Sequence, residues 1–232
     1  TPTFHADRLD QPLHWRKPRR IGVSFMGDLF HEAITDEQIA LVFLMMAQVP
    51  KHTYLVLTKR PDRARDFVNA RIEDGTTWRE GWTGVPLPNV HLGVTVCNQA
   101  EADRNVPLLL GTPAAVRWVS YEPAIGPVDF KPYLCTHDCE DFGLCQMDPA
   151  GKAECTYPKL DLIVLGGETG PGARPMQPEW ALDVYRQGKA AGVAFWFKQW
   201  GEAKQATPIV SRAEYAEMVA MEATHELPAV AP

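Results

Sequence analysis

The chain has 232 residues, the length of one large domain or two small ones. Hydrophobic residues make up 45% and charged residues 22%, a globular composition that excludes a disordered, collagen-like or coiled-coil protein. The net charge of −6 argues against a globally basic nucleic-acid-binding protein but leaves room for a local basic groove.

The sequence shows no targeting or membrane-spanning segment. It begins with Thr1 and has neither the basic nor the apolar segment of a signal peptide. No apolar run approaches the roughly 18 residues of a transmembrane helix. We therefore expect a cytoplasmic protein without a membrane partner.

Short apolar strands alternate with amphipathic segments along most of the chain. Strands are predicted at 21–26, 53–58, 90–96, 116–120, 160–165 and 193–197. Helices are predicted at 35–49, with Thr35 or Asp36 as the cap, and at 61–71, 99–110 and 178–191. Phe4 and His5 are expected to end an earlier strand, followed by a helix over 7–15. The alternation predicts a parallel sheet covered on both faces.

Two segments interrupt this pattern. Residues 131–159 contain Cys, Asp and Pro with almost no periodicity, which indicates an insertion into the α/β domain spanning 1–202. Residues 203–232 are predicted to be a C-terminal tail with one short helix near 212–223.

The distribution of polar residues favours a parallel β/α barrel over a doubly wound sheet. A doubly wound sheet usually has a glycine-rich phosphate turn after its first strand, and the early strand ends here have none. Barrel chemistry instead lies at the carboxyl ends of many strands. Polar side chains follow nearly every predicted strand, namely Asp28, Lys59, Arg60, Asn98, Glu122, Glu168 and Lys198.

The most distinctive motif is 166–175 (GGETGPGARP), which follows a fully apolar strand. Gly166 and Gly167 would let the backbone approach a ligand closely. Glu168 would take an ammonium or hydroxyl group, and Arg174 a carboxylate or phosphate. The alternative is a crossover turn closed by a surface ion pair.

Three other strand ends carry candidate chemistry. Glu122 is a candidate general base or ammonium ligand, with an ion pair to Lys198 or Lys59 as the alternative. Lys59 and Arg60 would attract a carboxylate or phosphate, or cap the helix that follows them. Asp28 begins 28–32 (DLFHE), which matches no strong metal signature and is better interpreted as a pocket wall.

The cysteine cluster predicts a metal site within the insertion. Its members are Cys135, Cys139, Cys145 and Cys155. A metal ion bound by four thiolates would stabilise the fold of a segment that is expected to have no core of its own. Zinc is favoured over an iron–sulfur cluster. Two disulfides or free thiols are the alternatives. Cys97, which stands alone after a strand, is interpreted as a small core or pocket residue.

Seven strings in the same order resemble one family and cover most of residues 5–201. They are 12–20 (PLHWRKPRR), 28–32 (DLFHE), 57–61 (LTKRP), 88–94 (PNVHLGV), 120–123 (SYEP), 166–176 (GGETGPGARPM) and 197–201 (FKQWG). The chain resembles the phage- and prophage-encoded radical-SAM-like proteins with an N-terminal three-cysteine motif.

The resemblance implies a TIM-like, radical-SAM-type β/α barrel with a [4Fe–4S] cluster and S-adenosylmethionine bound beside it. The implied reaction is reductive cleavage to a 5′-deoxyadenosyl radical. The cluster cysteines would lie before residue 1, so the barrel is expected to be incomplete at its N-terminus. Without the insertion and the tail, the chain has room for about six units of roughly 30 residues each.

These observations lead to two functional hypotheses. In the first, the chain is a radical-SAM-like enzyme acting on a nucleotide or nucleic-acid substrate. Glu122, Lys198 and Asp28 would then be catalytic, and Gly166, Gly167, Glu168, Lys59, Arg60 and Arg174 would bind the cofactor. In the second, it is a non-catalytic barrel whose metal-stabilised insertion docks a partner protein or DNA.

Overall fold

The computed structural model describes residues 2–73, 86–134, 145–147, 153–155, 158–203 and 216. Its strands are β1 (Arg20–Val23), β2 (Thr53–Thr58), β3 (Val90–Val96), β4 (Val116–Tyr121), β5 (Cys145–Met147), β6 (Ala153–Cys155), β7 (Leu162–Gly166) and β8 (Ala194–Gln199). Its helices are α1 (Gln11–His14), α2 (Asp36–Gln48), α3 (Pro61–Glu73), α4 (Gln99–Leu110) and α5 (Pro178–Ala190). The six predicted strands of the main sheet and the four predicted helices are confirmed, with ends that differ by a few residues.

The main sheet contains six strands in the order β1-β2-β3-β4-β7-β8, and every neighbouring pair is parallel. A doubly wound sheet reverses its strand order at a switch point. Here the six strands of the main sheet lie in the same order as in the chain, with only β5 and β6 left out. The sheet curls into a half-barrel with alternating helices. The prediction of a parallel α/β sheet is confirmed.

The two faces of the sheet have different surroundings. One face packs against α2, α3, α4 and α5 in a single buried core. The other, which we call the concave face, carries Leu55, Leu57, Gly93, Trp118, Leu162, Val164, Ala194 and Trp196. The described helices therefore cover one face only, although the central strands β3 and β7 are buried on both faces as expected. Crossovers of one hand between strands in sequential order place all helices on the same face.

Local sequence explains where the helices begin. The Thr35 hydroxyl accepts a hydrogen bond from the Gln38 amide, and the Gln38 side chain accepts one from the Thr35 amide, which forms a capping box. Asn98 caps α4 by accepting from the Glu101 amide. None of the described helices has the length and hydropathy of a membrane-spanning segment.

The N-terminal prediction is wrong. Residues 2–5 form no strand, and the expected helix over 7–15 is divided into a 3-10 turn (Ala6–Arg8) and the short helix α1. Pro12 lies in the first turn of α1, where its missing amide hydrogen is tolerated. The segment is tied to the sheet by His52, which accepts from the Arg19 amide at 3.1 Å and donates to the Pro12 carbonyl at 3.0 Å.

The predicted insertion leaves and rejoins the half-barrel at one place. The Leu160 amide donates to the Tyr133 carbonyl at 3.1 Å, so the two ends of the segment lie together. Within it, β5 and β6 form a separate antiparallel sheet. The helix predicted near 212–223 lies outside the described residues except for Ala216.

Gly93 provides a test of the concave face. A Cβ atom at this position would overlap the Trp118 indole, which is 5% exposed. We expect Gly93→Ala to lower the free energy of unfolding by about 2 kcal/mol, measured by urea denaturation. The control is Gly27→Ala, because the nearest atom to an added Cβ there is 3.9 Å away. Equal stability of the two variants would contradict the packing described here.

Candidate functional site

The carboxyl ends of four strands bring their next side chains together. Near their carboxyl ends, β3, β4, β7 and β8 carry Val96, Tyr121, Leu165 and Phe197 side by side in the sheet. The following residues are Cys97, Glu122, Gly166 and Lys198. We call these four, together with Lys59, Glu168 and Arg174, the carboxyl-edge site.

Glu122 and Lys198 form an ion pair across β7. The Lys198 ammonium donates to Glu122 Oε1 at 2.7 Å, and the two side chains are 22% and 48% exposed. Gly166 lies between them, and a Cβ there would be 3.0 Å from Glu122 Oε1. Glycine at 166 therefore leaves room for the carboxylate. A half-exposed pair of this kind contributes little to stability and is open to exchange with a ligand.

Glu168 and Arg174 bind each other across the turn after β7. The Arg174 guanidinium donates to both carboxylate oxygens of Glu168, at 2.8 and 2.6 Å, and its amide donates at 2.8 Å. These hydrogen bonds lower the pKa of Glu168 to about 2. The structure thus contains the ion pair expected as the alternative for this turn, while binding of a cofactor by these residues stays a prediction.

Gly167 has a packing role. A Cβ at Gly167 would overlap the Trp200 carbonyl, and Gly201, with φ of 89°, lies against the Glu168 carbonyl. The Gly167 amide donates to the Gln199 carbonyl, and the Glu202 amide donates to the Glu168 carbonyl. The turn after β7 is therefore hydrogen-bonded to the end of β8 and the residues after it, which fixes the backbone of Glu168.

Asp28 ties the ends of β1 and β2 together. Its side chain is 7% exposed. Its two oxygens accept from the Phe30 amide, the Thr58 hydroxyl, the Lys59 amide and the Arg60 guanidinium at 2.8 to 3.1 Å. These contacts make Asp28 a structural tie, and its proposed catalytic role stays a prediction. Arg60 is engaged by Asp28 and lies 3.6 Å from Glu32.

Lys59 differs from Arg60 in having an available charge. Its amide is held by Asp28, but its side chain is exposed. Within residues 2–73, 86–134 and 158–203, no carboxylate pairs with its ammonium group. Lys59 therefore supplies a positive charge that a ligand carboxylate or phosphate can take up.

Cys97 lies next to Glu122 in the carboxyl-edge site. Its thiol is 4.0 Å from the Glu122 carbonyl, and its amide donates to the Glu101 carboxylate at 3.0 Å. Burial, together with the negative charge of Glu101, raises the pKa of Cys97 to about 11, although Lys59 and Arg174 oppose this shift. The thiol is thus protonated at neutral pH, which favours the pocket interpretation over a nucleophile.

The predicted metal ligands are only partly described. Cys135 and Cys139 lie outside the described residues. Cys145 and Cys155 occupy directly paired backbone positions in β5 and β6. The described residues contain no cluster of three or more His, Cys, Asp or Glu side chains suited to a metal. A zinc or iron–sulfur site in the insertion therefore stays a prediction.

A cavity of about 580 Å³ lies at the β1 side of the sheet, and Asp28 forms part of its wall. Its walls come from residues 2–12, β1, the loop over 26–34, α2 and Tyr54, and not from Glu122, Glu168 or Lys198. Within the described residues, the buried Tyr54 hydroxyl has no hydrogen-bond partner, and burial raises its pKa to about 12. The cavity is largely apolar and does not contain the ion pairs of the carboxyl edge.

Comparison with known proteins gives a family. A family model described as a protein of unknown function (DUF5131) matches residues 1–227. The match spans most of the chain, so the chain belongs to the DUF5131 family. No curated protein and no solved structure matches it. The function of the chain is accordingly inferred from the residues of the carboxyl edge.

The Asp28 tie can be tested by one substitution. Asp28→Asn replaces one carboxylate oxygen, which accepts hydrogen bonds, by an NH2 group, which donates them. This NH2 group would face donors that now bind the carboxylate. We expect it to lower the free energy of unfolding by about 2 kcal/mol in urea denaturation. Asp66→Asn is the control, because the Asp66 side chain is 67% exposed, and its effect should stay within about 0.5 kcal/mol. Equal changes in the free energy of unfolding of the two variants would show that the hydrogen bonds of Asp28 do not stabilise the fold.

Proposed function

We propose that this member of the DUF5131 family is a radical-SAM-like enzyme of the TIM-barrel type. Its carboxyl edge would bind S-adenosylmethionine beside a nucleotide or nucleic-acid substrate. The observation that carries the proposal is the Glu122–Lys198 pair over Gly166. Five of the strings that resemble the radical-SAM-like family support it, because they lie at or just after the carboxyl ends of strands.

The charges at this edge fit the amino-acid group of the ligand. The methionine part of S-adenosylmethionine carries one ammonium and one carboxylate group. Glu122 would accept from the ammonium, and Lys198 would hold the carboxylate. The ion pair between Glu122 and Lys198 would thus be replaced by two ion pairs with the ligand, one at each side chain. Neither Glu122 nor Lys198 would be left without a partner of opposite charge.

The concave face fits the rest of the ligand. Trp196 and Ala194 are half-buried there beside the buried Val164, and they offer apolar surface directly below the Glu122–Lys198 pair. A mostly apolar wall with a few convergent polar groups is the usual form of a small-molecule site. When bound, S-adenosylmethionine supplies an adenosyl group on a sulfonium centre.

The described residues do not fit an iron–sulfur cluster. Such a cluster is held by several Cys thiolates. The carboxyl edge offers Cys97 alone in the described part of the chain, and burial raises its pKa to about 11. The described residues would therefore bind the adenosyl ligand but not an iron–sulfur cluster.

One observation favours the second candidate, a non-catalytic binding module. The β5–β6 sheet is separate from the half-barrel, and Cys145 and Cys155 are paired within it. A small separate sheet is suited to metal stabilisation and to docking a protein or DNA partner. This candidate requires no ligand at the carboxyl edge.

Calorimetric titration of the full chain distinguishes the two candidates. We expect saturable binding of S-adenosylmethionine, and weaker binding of 5′-methylthioadenosine because it lacks the amino-acid group. Glu122→Gln should weaken S-adenosylmethionine binding by about tenfold or more. Glu73→Gln, at the exposed end of α3, is the matched control and should bind as the unaltered chain does.

Two results would contradict the proposal. One is the absence of saturable binding, which would leave the binding module as the function to pursue. The other is binding that Glu122→Gln leaves unchanged, which would place the ligand elsewhere on the chain.

A further inference from the structure

Two strands of the half-barrel carry a glycine where a large ring lies on the concave face. A Cβ at Gly22 in β1 would be 3.0 Å from the Phe25 ring, and one at Gly93 in β3 would overlap the Trp118 indole. The centroids of the Phe25 and Trp118 rings are 6.3 Å apart, and the ring planes meet at 44°. We call Phe25 and Trp118 the aromatic platform.

The backbone before Phe25 holds this ring in place. Ser24 has a φ of 55°, in the left-handed region that residues other than glycine seldom adopt. The Gly27 amide donates to the Ser24 carbonyl at 2.9 Å and closes the turn. Phe25 is thereby folded back over Gly22. A backbone held in such a conformation is found most often at ligand sites.

The outer ring of the platform remains available to a ligand. Phe25 is 50% exposed, whereas Trp118 behind it is 5% exposed. The platform therefore offers one open aromatic ring backed by a buried one. A free aromatic face suits a planar ligand ring such as a nucleobase, because every base has a face that can stack.

A positive charge lies at the same level of the sheet. Val23 pairs with Val56, so Phe25 and Lys59 both follow adjacent strands at the carboxyl edge. The Lys59 side chain is exposed, and no carboxylate in the described part of the chain pairs with it. An aromatic ring next to a cation complements the base and the phosphate of a nucleotide.

We propose that the aromatic platform stacks the nucleobase of the substrate while Lys59 binds its phosphate. The substrate class is then a nucleotide with an unpaired base, either free or part of a single strand, because a base within a duplex cannot reach a ring on a concave face. The inference rests on the proposed function for its place beside S-adenosylmethionine. It requires a second, separate ligand position at the same edge.

The test is calorimetric titration of the full chain with adenosine 5′-monophosphate, with and without saturating S-adenosylhomocysteine. We expect binding in both conditions. Phe25→Ala and Phe25→Leu should weaken it by about tenfold or more, and Phe25→Tyr should retain it. Lys59→Met should weaken binding of the monophosphate but not of adenosine.

The controls separate the platform from general effects. Leu13→Ala removes another exposed apolar side chain, 45% exposed and outside the platform, and should change nothing. Ribose 5-phosphate has no base, so its binding should not respond to Phe25. A single-stranded tetranucleotide that binds more tightly than the monophosphate identifies nucleic acid as the source, and equal or weaker binding identifies a free nucleotide.

Three results would overturn the inference. They are no binding of the monophosphate, an unchanged affinity in Phe25→Ala, and an equal loss of S-adenosylmethionine binding in that variant. The last result would assign the platform to the adenine of the cofactor. If S-adenosylmethionine does not bind at all, the proposed function fails, while the monophosphate titration still decides on the platform.

Discussion

The parallel pairing of six strands in chain order places all of their carboxyl ends at one edge of the sheet. Sequential order also requires every described crossover to return on the same side, so the helices cover one face and leave the other concave. Residues separated by up to 139 positions along the chain, from Lys59 to Lys198, then lie at one edge. The candidate site depends on this pairing more than on any single contact.

Two kinds of polar contact occur at this edge. Asp28 is buried, and all of its contacts are with donors of the neighbouring loop and strand end, so its removal should be felt in stability. Glu122 and Lys198 are 22% and 48% exposed and pair with each other, so a ligand can reach their charges. The difference between them lies in burial and not in residue type.

The sequence predicts the main sheet well because its strands are near-continuous apolar runs bounded by Gly, Pro and charged residues. It also predicts the start of α2, where Thr35 and Gln38 form a local capping box. It fails at residues 2–15, because the short apolar stretch at Phe4 resembles a strand end while Pro12 divides the helix that follows.

The sequence predicts the location of the site and, as alternatives, its two ion pairs Glu122–Lys198 and Glu168–Arg174, but not its other contacts. Strand-end positions identify Glu122, Glu168 and Lys198, because side chains at carboxyl ends of parallel strands must lie together. The tie between Asp28 and Thr58 spans 30 positions, and no local pattern indicates it. The aromatic platform is missed as well, because the place of the Phe25 ring depends on the backbone angle at Ser24 and on the glycine at 22.

Binding of the adenosyl ligand at the carboxyl edge of the half-barrel can be mapped residue by residue. The measurement is an amide chemical-shift map of the isotope-labelled chain, recorded while S-adenosylmethionine is added. We expect the largest shifts to cluster at Cys97, Glu122, Gly166, Gly167 and Lys198. Shifts that cluster instead around the cavity lined by residues 2–12 and α2, or at the amino ends of the strands, would contradict binding at this edge.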